Sequence, residues 1–213
     1  MKKITLAVLM AAGLVCGSTA FAGDDGWYIL GGAGQATGKT DKSQLDTTLN
    51  GIGYTGFSST YSEPAIYRLH AGYQIDKNLA VEGGYMSSGN ANYNAVGGNV
   101  GGGAPFNLSA SATIKAWSLV AVGTLPVTDQ FGLLGKLGVA NVTNKVTATA
   151  SNGAVSASAT TTGTKTALTY GVGAKYDFSN ALFGRFDVDN ISVGDATTSS
   201  RGSYWTLNLG YKL

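Results

Sequence analysis

The last nine residues, Trp205-Thr206-Leu207-Asn208-Leu209-Gly210-Tyr211-Lys212-Leu213, alternate large apolar with polar or small side chains to the end of the chain. A period of two is the signature of a strand. One face carries Trp205, Leu207, Leu209, Tyr211 and Leu213, and the other Thr206, Asn208, Gly210 and Lys212. The pattern recurs in pairs. Residues 67–75 and 79–85 flank the polar turn Asp76-Lys77-Asn78, residues 117–125 and 131–139 flank a turn led by Pro126, and residues 168–176 and 182–188 flank a turn with Ser179-Asn180. Proline is harmless there because the turn does not need its missing donor. A first strand over 27–34 brings the total to about eight.

The charges decide which face is inside. Lys136 and Arg185 sit mid-strand between apolar neighbours, and facing the lipid midplane each would cost about 2–4 kcal/mol. They are therefore expected in a lumen, with Arg68, His70, Gln74, Glu82, Lys175, Asp177 and Asp187, while Tyr67, Leu69, Tyr73, Ile75, Leu79, Val81 and Tyr85 face out. Opposite charges in so narrow a space are expected to pair, because a lone buried charge is costly. Each strand is near the ~9–11 residues that cross a bilayer at a tilt. Beyond residue 22 no uninterrupted apolar stretch approaches the ~18 residues of a spanning helix. The expected fold class is all-β: an eight-stranded antiparallel up-and-down transmembrane β-barrel.

The connections alternate between two lengths. Three short turns fall at one end, and four longer Gly/Ser/Thr/Asn-rich segments, 35–64, 88–113, 141–165 and 191–202, fall at the other. Barrels of this kind keep short turns periplasmic and long loops external. Within the third long segment, residues 146–150 and 154–157 around Ser151-Asn152-Gly153 predict a hairpin continuing above the membrane. The Gly97–Gly103 run reads as a flexible loop tip. Trp27, Tyr28, Tyr67, Tyr85, Trp117, Trp205 and Tyr211 lie near strand ends, as interfacial girdles do; carbohydrate stacking is the alternative role.

Composition agrees with this class and excludes others. The 213 residues include 32 glycines, three prolines and one cysteine, with 12% charged, which is neither a disulfide scaffold nor a chain disordered by charge. Lys2 and Lys3 precede an apolar run and the small-x-small site Ala20-Phe21-Ala22, the form of a secretory signal peptide over 1–22, leaving a barrel domain over 23–213. Cys16 follows the branched Val15 where a lipoprotein signal needs a small residue. Loss of Lys2 and Lys3 from the 14 basic residues leaves 12 against 12 acidic ones, a balance that implies no nucleic-acid partner.

Two motifs invite chemistry. The segment 33–40, Ala-Gly-Gln-Ala-Thr-Gly-Lys-Thr, fits a loose phosphate-loop pattern. That pattern needs a helix just after Lys39, and Asp41-Lys42-Ser43-Gln44 is expected to lead into a loop instead. His70 is the single histidine, and a Ser-His or metal site would have to use it. No Gly-x-Ser-x-Gly elbow accompanies it, so an interior polar role is expected, with no cofactor.

These features together resemble the OmpA-like family of small outer-membrane barrels. The likeness rests on Gly26-Trp27-Tyr28, on Ala71-Gly72-Tyr73-Gln74-Ile75 with Leu79-Ala80-Val81-Glu82-Gly83-Gly84-Tyr85, on Thr124-Leu125-Pro126 with Leu134-Gly135-Lys136-Leu137-Gly138, and on Gly184-Arg185-Phe186-Asp187 with the closing strand. It implies an integral protein of the cell outer membrane that stabilises the envelope or contacts surfaces through its loops. The implied partners are outer-membrane lipid and lipopolysaccharide, periplasmic chaperones, barrel-assembly machinery and external surface partners. It also implies a lumen closed by an ion-pair gate at Glu82, Lys136, Arg185 and Asp187. The chain departs from the family in ending on Leu213 rather than an aromatic residue, and no soluble domain is expected after it. A narrow low-conductance channel and a lipid-modifying enzyme using His70 are the alternatives.

Overall fold

A computed structural model describes residues 26–37, 42–152, 154–195 and 198–213. The expected signal segment with Cys16, and residues 38–40 of the phosphate-loop pattern, lie outside the described residues. Eleven strands are described: β1 (Gly26–Ala36), β2 (Tyr54–Thr55), β3 (Ser58–Ser62), β4 (Ala65–Asp76), β5 (Leu79–Ser88), β6 (Ala91–Val100), β7 (Phe106–Pro126), β8 (Phe131–Ser151), β9 (Ser156–Asp177), β10 (Leu182–Asp195) and β11 (Thr198–Lys212), with one helix, α1 (Lys42–Gly51).

Eight of these strands close on themselves. β1 pairs β4, β4 pairs β5, β5 pairs β7, then β7–β8, β8–β9, β9–β10 and β10–β11 follow, and β11 returns to β1, every pair antiparallel. Following the register from Gly26 through Gln74, Ala80, Val122, Lys136, Gly171, Asp189 and Tyr204 leads back to β1 at Ala36, a stagger of 36 − 26 = 10 residues. With eight strands about 4.8 Å apart rising about 3.3 Å per residue, that stagger sets a tilt of about 40° and a backbone radius of about 8 Å. Opposing side chains meet across such a bore, so the interior is a core.

The alternation follows the expected faces. Along β4, Tyr67 and Leu69 are 51% and 62% exposed while Ile66, Arg68 and His70 are buried. On β11, Leu207 and Leu209 are exposed while Thr206 and Asn208 are buried. The closing strand pairs with both the strand of Arg185 and the strand of Trp27, so the ring has no edge. The short turns are tied by side chains that accept from the backbone: Asp76 Oδ1 from Asn78 and Leu79 (2.7 and 2.9 Å), Thr128 Oγ1 from Phe131 (3.0 Å) and Ser179 Oγ from Leu182 (3.1 Å).

The long segments are more ordered than a loop reading gives them. The 146–157 hairpin forms as expected, with Ser151 opposite Ser156 and Asn152 Oδ1 accepting from Val155 at 2.8 Å. Segment 88–113 is not a loop but β6 and the upper half of β7. Gly97 and Gly98 belong to β6, and the turn lies at Gly101-Gly102, whose φ values of 59° and 79° favour glycine. Segment 35–64 holds α1, β2 and β3. Polar strands form here because β7, β8 and β9 leave the barrel already paired, so each further residue extends an existing ladder. Helix α1 lies against β2 and β3, its Leu45 and Leu49 packing on Tyr54, Tyr93 and Ala95. Asp46 secures it, accepting from Ser59 Oγ and Tyr93 OH at 2.6 Å each and from Lys42 Nζ at 3.0 Å. These hydrogen bonds, Ser59 foremost, lower the Asp46 carboxyl to about 2.

Candidate functional site

The mid-height of the lumen is filled by charge. β4 supplies Arg68 and His70, β5 Glu82, β8 Lys136, β10 Arg185, Asp187 and Asp189, and β11 Thr206 and Asn208, all buried. Asp187 is the hub. It accepts from Arg68 Nη2 at 2.7 Å, Arg185 Nε at 2.8 Å and Asn208 Nδ2 at 3.0 Å, and its second oxygen lies 3.1 Å from Lys136 Nζ. Arg68 Nη1 donates to Asp189 at 2.8 Å, and Lys136 Nζ reaches the same carboxylate at 2.5 Å. Arg185 grips Glu82 through both terminal nitrogens, one at 2.9 Å. Tyr28 OH donates to Glu82 Oε1 at 2.7 Å, and His70 Nδ1 stands 3.4 Å from Oε2. Three cations face three carboxylates, so the cluster carries no net charge when His70 is neutral.

Glycines make room for these side chains. A Cβ at Gly171 or Gly173 would strike the carboxylates of Asp189 or Asp187, and one at Gly72 the ring of Tyr28. Buried apolar side chains then pack on both sides of the charged layer. Toward the short turns lie Tyr28, Leu30, Ala80, Val120, Val122, Leu134 and Phe183. Toward the external end lie Ile66, Met86, Ala116, Ala140, Val142, Ala167 and Ile191, with Ala36 and Tyr204 against them.

Six of the residues singled out from sequence, Arg68, His70, Glu82, Lys136, Arg185 and Asp187, meet in this cluster. Lys175 does not. It pairs with Asp177 at 3.2 Å over the Phe183 ring, at the mouth where Lys212 also reaches Asp177 (3.1 Å). Its position near the turn end of β9 puts it below the central layer. Tyr28 was expected in a girdle and is instead buried inside, because it shares the parity of Leu30 and not that of Trp27. Asp189, Thr206 and Asn208 also belong to the cluster, beyond the residues that the sequence pattern singles out. The signal for Asp189 was its two-residue spacing from Asp187, which puts both on one face.

Trp27, Tyr67, Trp117 and Tyr211 are exposed on the outer surface, and Tyr85 and Trp205 are half-buried there. They form two levels. Trp27 packs edge-on to Tyr73 at 5.2 Å near the short turns, and Tyr85 on Trp117 at 4.9 Å near the external end.

The phosphate-loop pattern fares differently from its expectation. A helix does open after it, at Lys42. Residues 33–35 nevertheless lie in β1, paired to β4 on one side and β11 on the other, so their amides serve the barrel wall and cannot cradle a phosphate.

A closed antiparallel ring with apolar side chains outside and ion pairs within defines a transmembrane β-barrel. The chain belongs to the family defined by the outer membrane protein beta-barrel domain, whose model matches residues 7–212, and it is an integral protein of the cell outer membrane. Among solved structures it is similar to the outer membrane protein OprG from Pseudomonas aeruginosa, at 15% identity over 91% of this chain and 99% of that one, with a TM-score of 0.52. It is also similar to Ail, the attachment invasion locus protein of Yersinia pestis, at 16% identity over 89% and 99% of the two chains (TM-score 0.47), and to Neisserial surface protein A, at 13% identity over 88% and 97% (TM-score 0.48). No curated protein matches the chain. At these identities the likeness is one of fold.

Proposed function

We propose that this protein is a non-conducting, non-enzymatic outer-membrane barrel whose work is done by the polar sheet it raises above the membrane. The observation that carries this reading is the lumen: a charge-balanced cluster between two apolar layers, with a backbone radius of about 8 Å. An ion would have to break several buried pairs and cross both layers. His70 sits inside the seal with its Nδ1 toward Glu82, where no substrate reaches it, so the envelope-lipid chemistry that a catalytic histidine would offer has no access. The external ends of β7, β8 and β9, with β3, β6 and α1, supply the interaction surface. The family's lipid setting makes lipopolysaccharide and the barrel-assembly machinery its constant partners, and surface molecules its variable ones.

The test is to shorten the β8–β9 hairpin by deleting residues 147–160, thus keeping every lumen residue. The trimmed protein is expected to retain its heat-dependent gel mobility and to lose the surface adhesion of cells that express it. Unchanged adhesion would overturn the assignment of function to the raised sheet.

A further inference from the structure

Above the external aromatic level the outward face of β7, β8 and β9 has an unusual charge distribution. Asp129 is the single acidic residue between Gly83 and Tyr176, and it lies in a short turn at the opposite end of the barrel. The raised part of these strands therefore has no carboxylate, yet it carries Lys115 and Lys145, both exposed. Lys115 has the parity of Trp117, which is 66% exposed toward lipid, so it projects from the same face one step higher. Lys115 stands opposite Thr143, and Lys145 opposite Thr113. The two lysines are thus diagonal neighbours on one face, about 7–8 Å apart along the sheet, with stems long enough for both ammonium groups to converge on one anion.

Hydroxyl groups surround them. Ser87 of β5 opposes Lys115 on its other side. The Thr143 hydroxyl is held by Thr164 at 3.0 Å, and the ladder continues upward as Thr147–Thr160 and Thr149–Ser158, each at 3.1 Å. Each of the lumen cations Arg68, Lys136 and Arg185 has a carboxylate partner, whereas among the described residues none pairs with Lys115 or Lys145 on this outer face. Directly beneath lie the Trp117 and Tyr85 rings, which mark where hydrocarbon gives way to headgroups.

We propose that Lys115 and Lys145, flanked by Ser87 and Thr143, form a binding site for the phosphate of a phosphorylated glycolipid in the outer leaflet. Its sugars lie along the Thr/Ser ladder and its acyl chains against Trp117 and Leu119. The site rests on the outer-membrane placement of the barrel and adds to it a specific lipid contact.

The mature chain, refolded in detergent and loaded with bisphosphorylated lipid A or its dephosphorylated form, is examined by native mass spectrometry for retained glycolipid. The wild type is expected to retain the phosphorylated form. The double variant K115A/K145A should lose about 30-fold in affinity, roughly fivefold per ammonium group, and match the wild type with dephosphorylated lipid. Lys165 opposes Val142, a lumen-side residue, so Lys165→Ala removes the same charge from the other face and should change retention less than twofold. Retention by K115A/K145A within threefold of wild type, equal binding of the dephosphorylated lipid, an equal loss in Lys165→Ala, or displacement by millimolar inorganic phosphate would each overturn the site. A wild type whose gel mobility is indifferent to heating would instead overturn the barrel placement, and the site with it.

Discussion

Replacing Asp187 by Asn keeps the volume of the side chain and removes the charge on which the lumen turns. Asp187 is fully buried and faces Arg68, Arg185 and Lys136 at 2.7, 2.8 and 3.1 Å. The amide leaves three cations against two carboxylates in a space closed to water. Breaking a buried pair from one side costs about 3–5 kcal/mol, since the remaining charge is left uncompensated. Against a typical total of about 5–15 kcal/mol, that is a large share. With a urea slope of about 2 kcal/mol/M, the unfolding midpoint in lipid vesicles, followed by tryptophan fluorescence, should fall by about 1.5–2.5 M. Adding Lys136→Met to Asp187→Asn restores a balance of two against two and should recover at least half of the loss, though Lys136→Met alone is itself destabilising. A midpoint shift below about 0.5 M for Asp187→Asn, or losses that simply add in the double variant, would refute the account of the lumen as a coupled, neutral cluster.

Other outcomes follow from the same geometry. Gly72→Ala drives a methyl group into the Tyr28 ring and loosens its bond to Glu82, which should destabilise by about 1–3 kcal/mol in the same urea assay; Gly135→Ala, with open space around its Cβ, should stay within about 0.5 kcal/mol. The Asp46 carboxyl is depressed to about 2, so the stability it gives to α1 is complete above its unfolded value of about 3.9 and is lost as pH falls through about 2. Limited proteolysis of residues 42–51 with an acid-active protease should therefore be slow at pH 4 and fast below pH 2, and Asp46→Asn should make it fast at both. Equal rates for Asp46→Asn and wild type at pH 4 would remove Asp46 as the latch.

Much of the barrel was legible in the chain because lipid imposes a strict period. Leu69, Leu207 and Leu209 outside, with Arg68 and Asn208 inside, leave one register and one closure. Six of the lumen residues could be read the same way, since a mid-strand charge has only one affordable direction. Four other features were not legible. Tyr28 carries both an apolar ring and a hydroxyl, so its type alone does not distinguish girdle from lumen; only its parity with Leu30 does. Lys175 has the parity of a lumen residue, and its separation from the cluster depends on height, which the stagger of ten residues sets and no single strand reveals. The raised sheet was read partly as loop because Ser, Thr, Ala and Gly show no amphipathic pattern when neither face is covered. Its order comes from pairing to strands already fixed below. Helix α1 is hidden for a related reason: its apolar stripe is only Leu45 and Leu49, and much of its anchoring comes from the hydrogen bonds that Asp46 accepts from Ser59 and Tyr93.

The central claim is that the lumen is sealed. Recording single-channel current across a planar bilayer containing the refolded barrel, residues 23–213, tests it most directly, with a protein-free bilayer and heat-inactivated protein as controls. The sealed lumen predicts no discrete steps above the baseline at moderate voltage. Reproducible unitary steps that change when Arg185 or Glu82 is substituted would place an open path through the cluster and contradict the account.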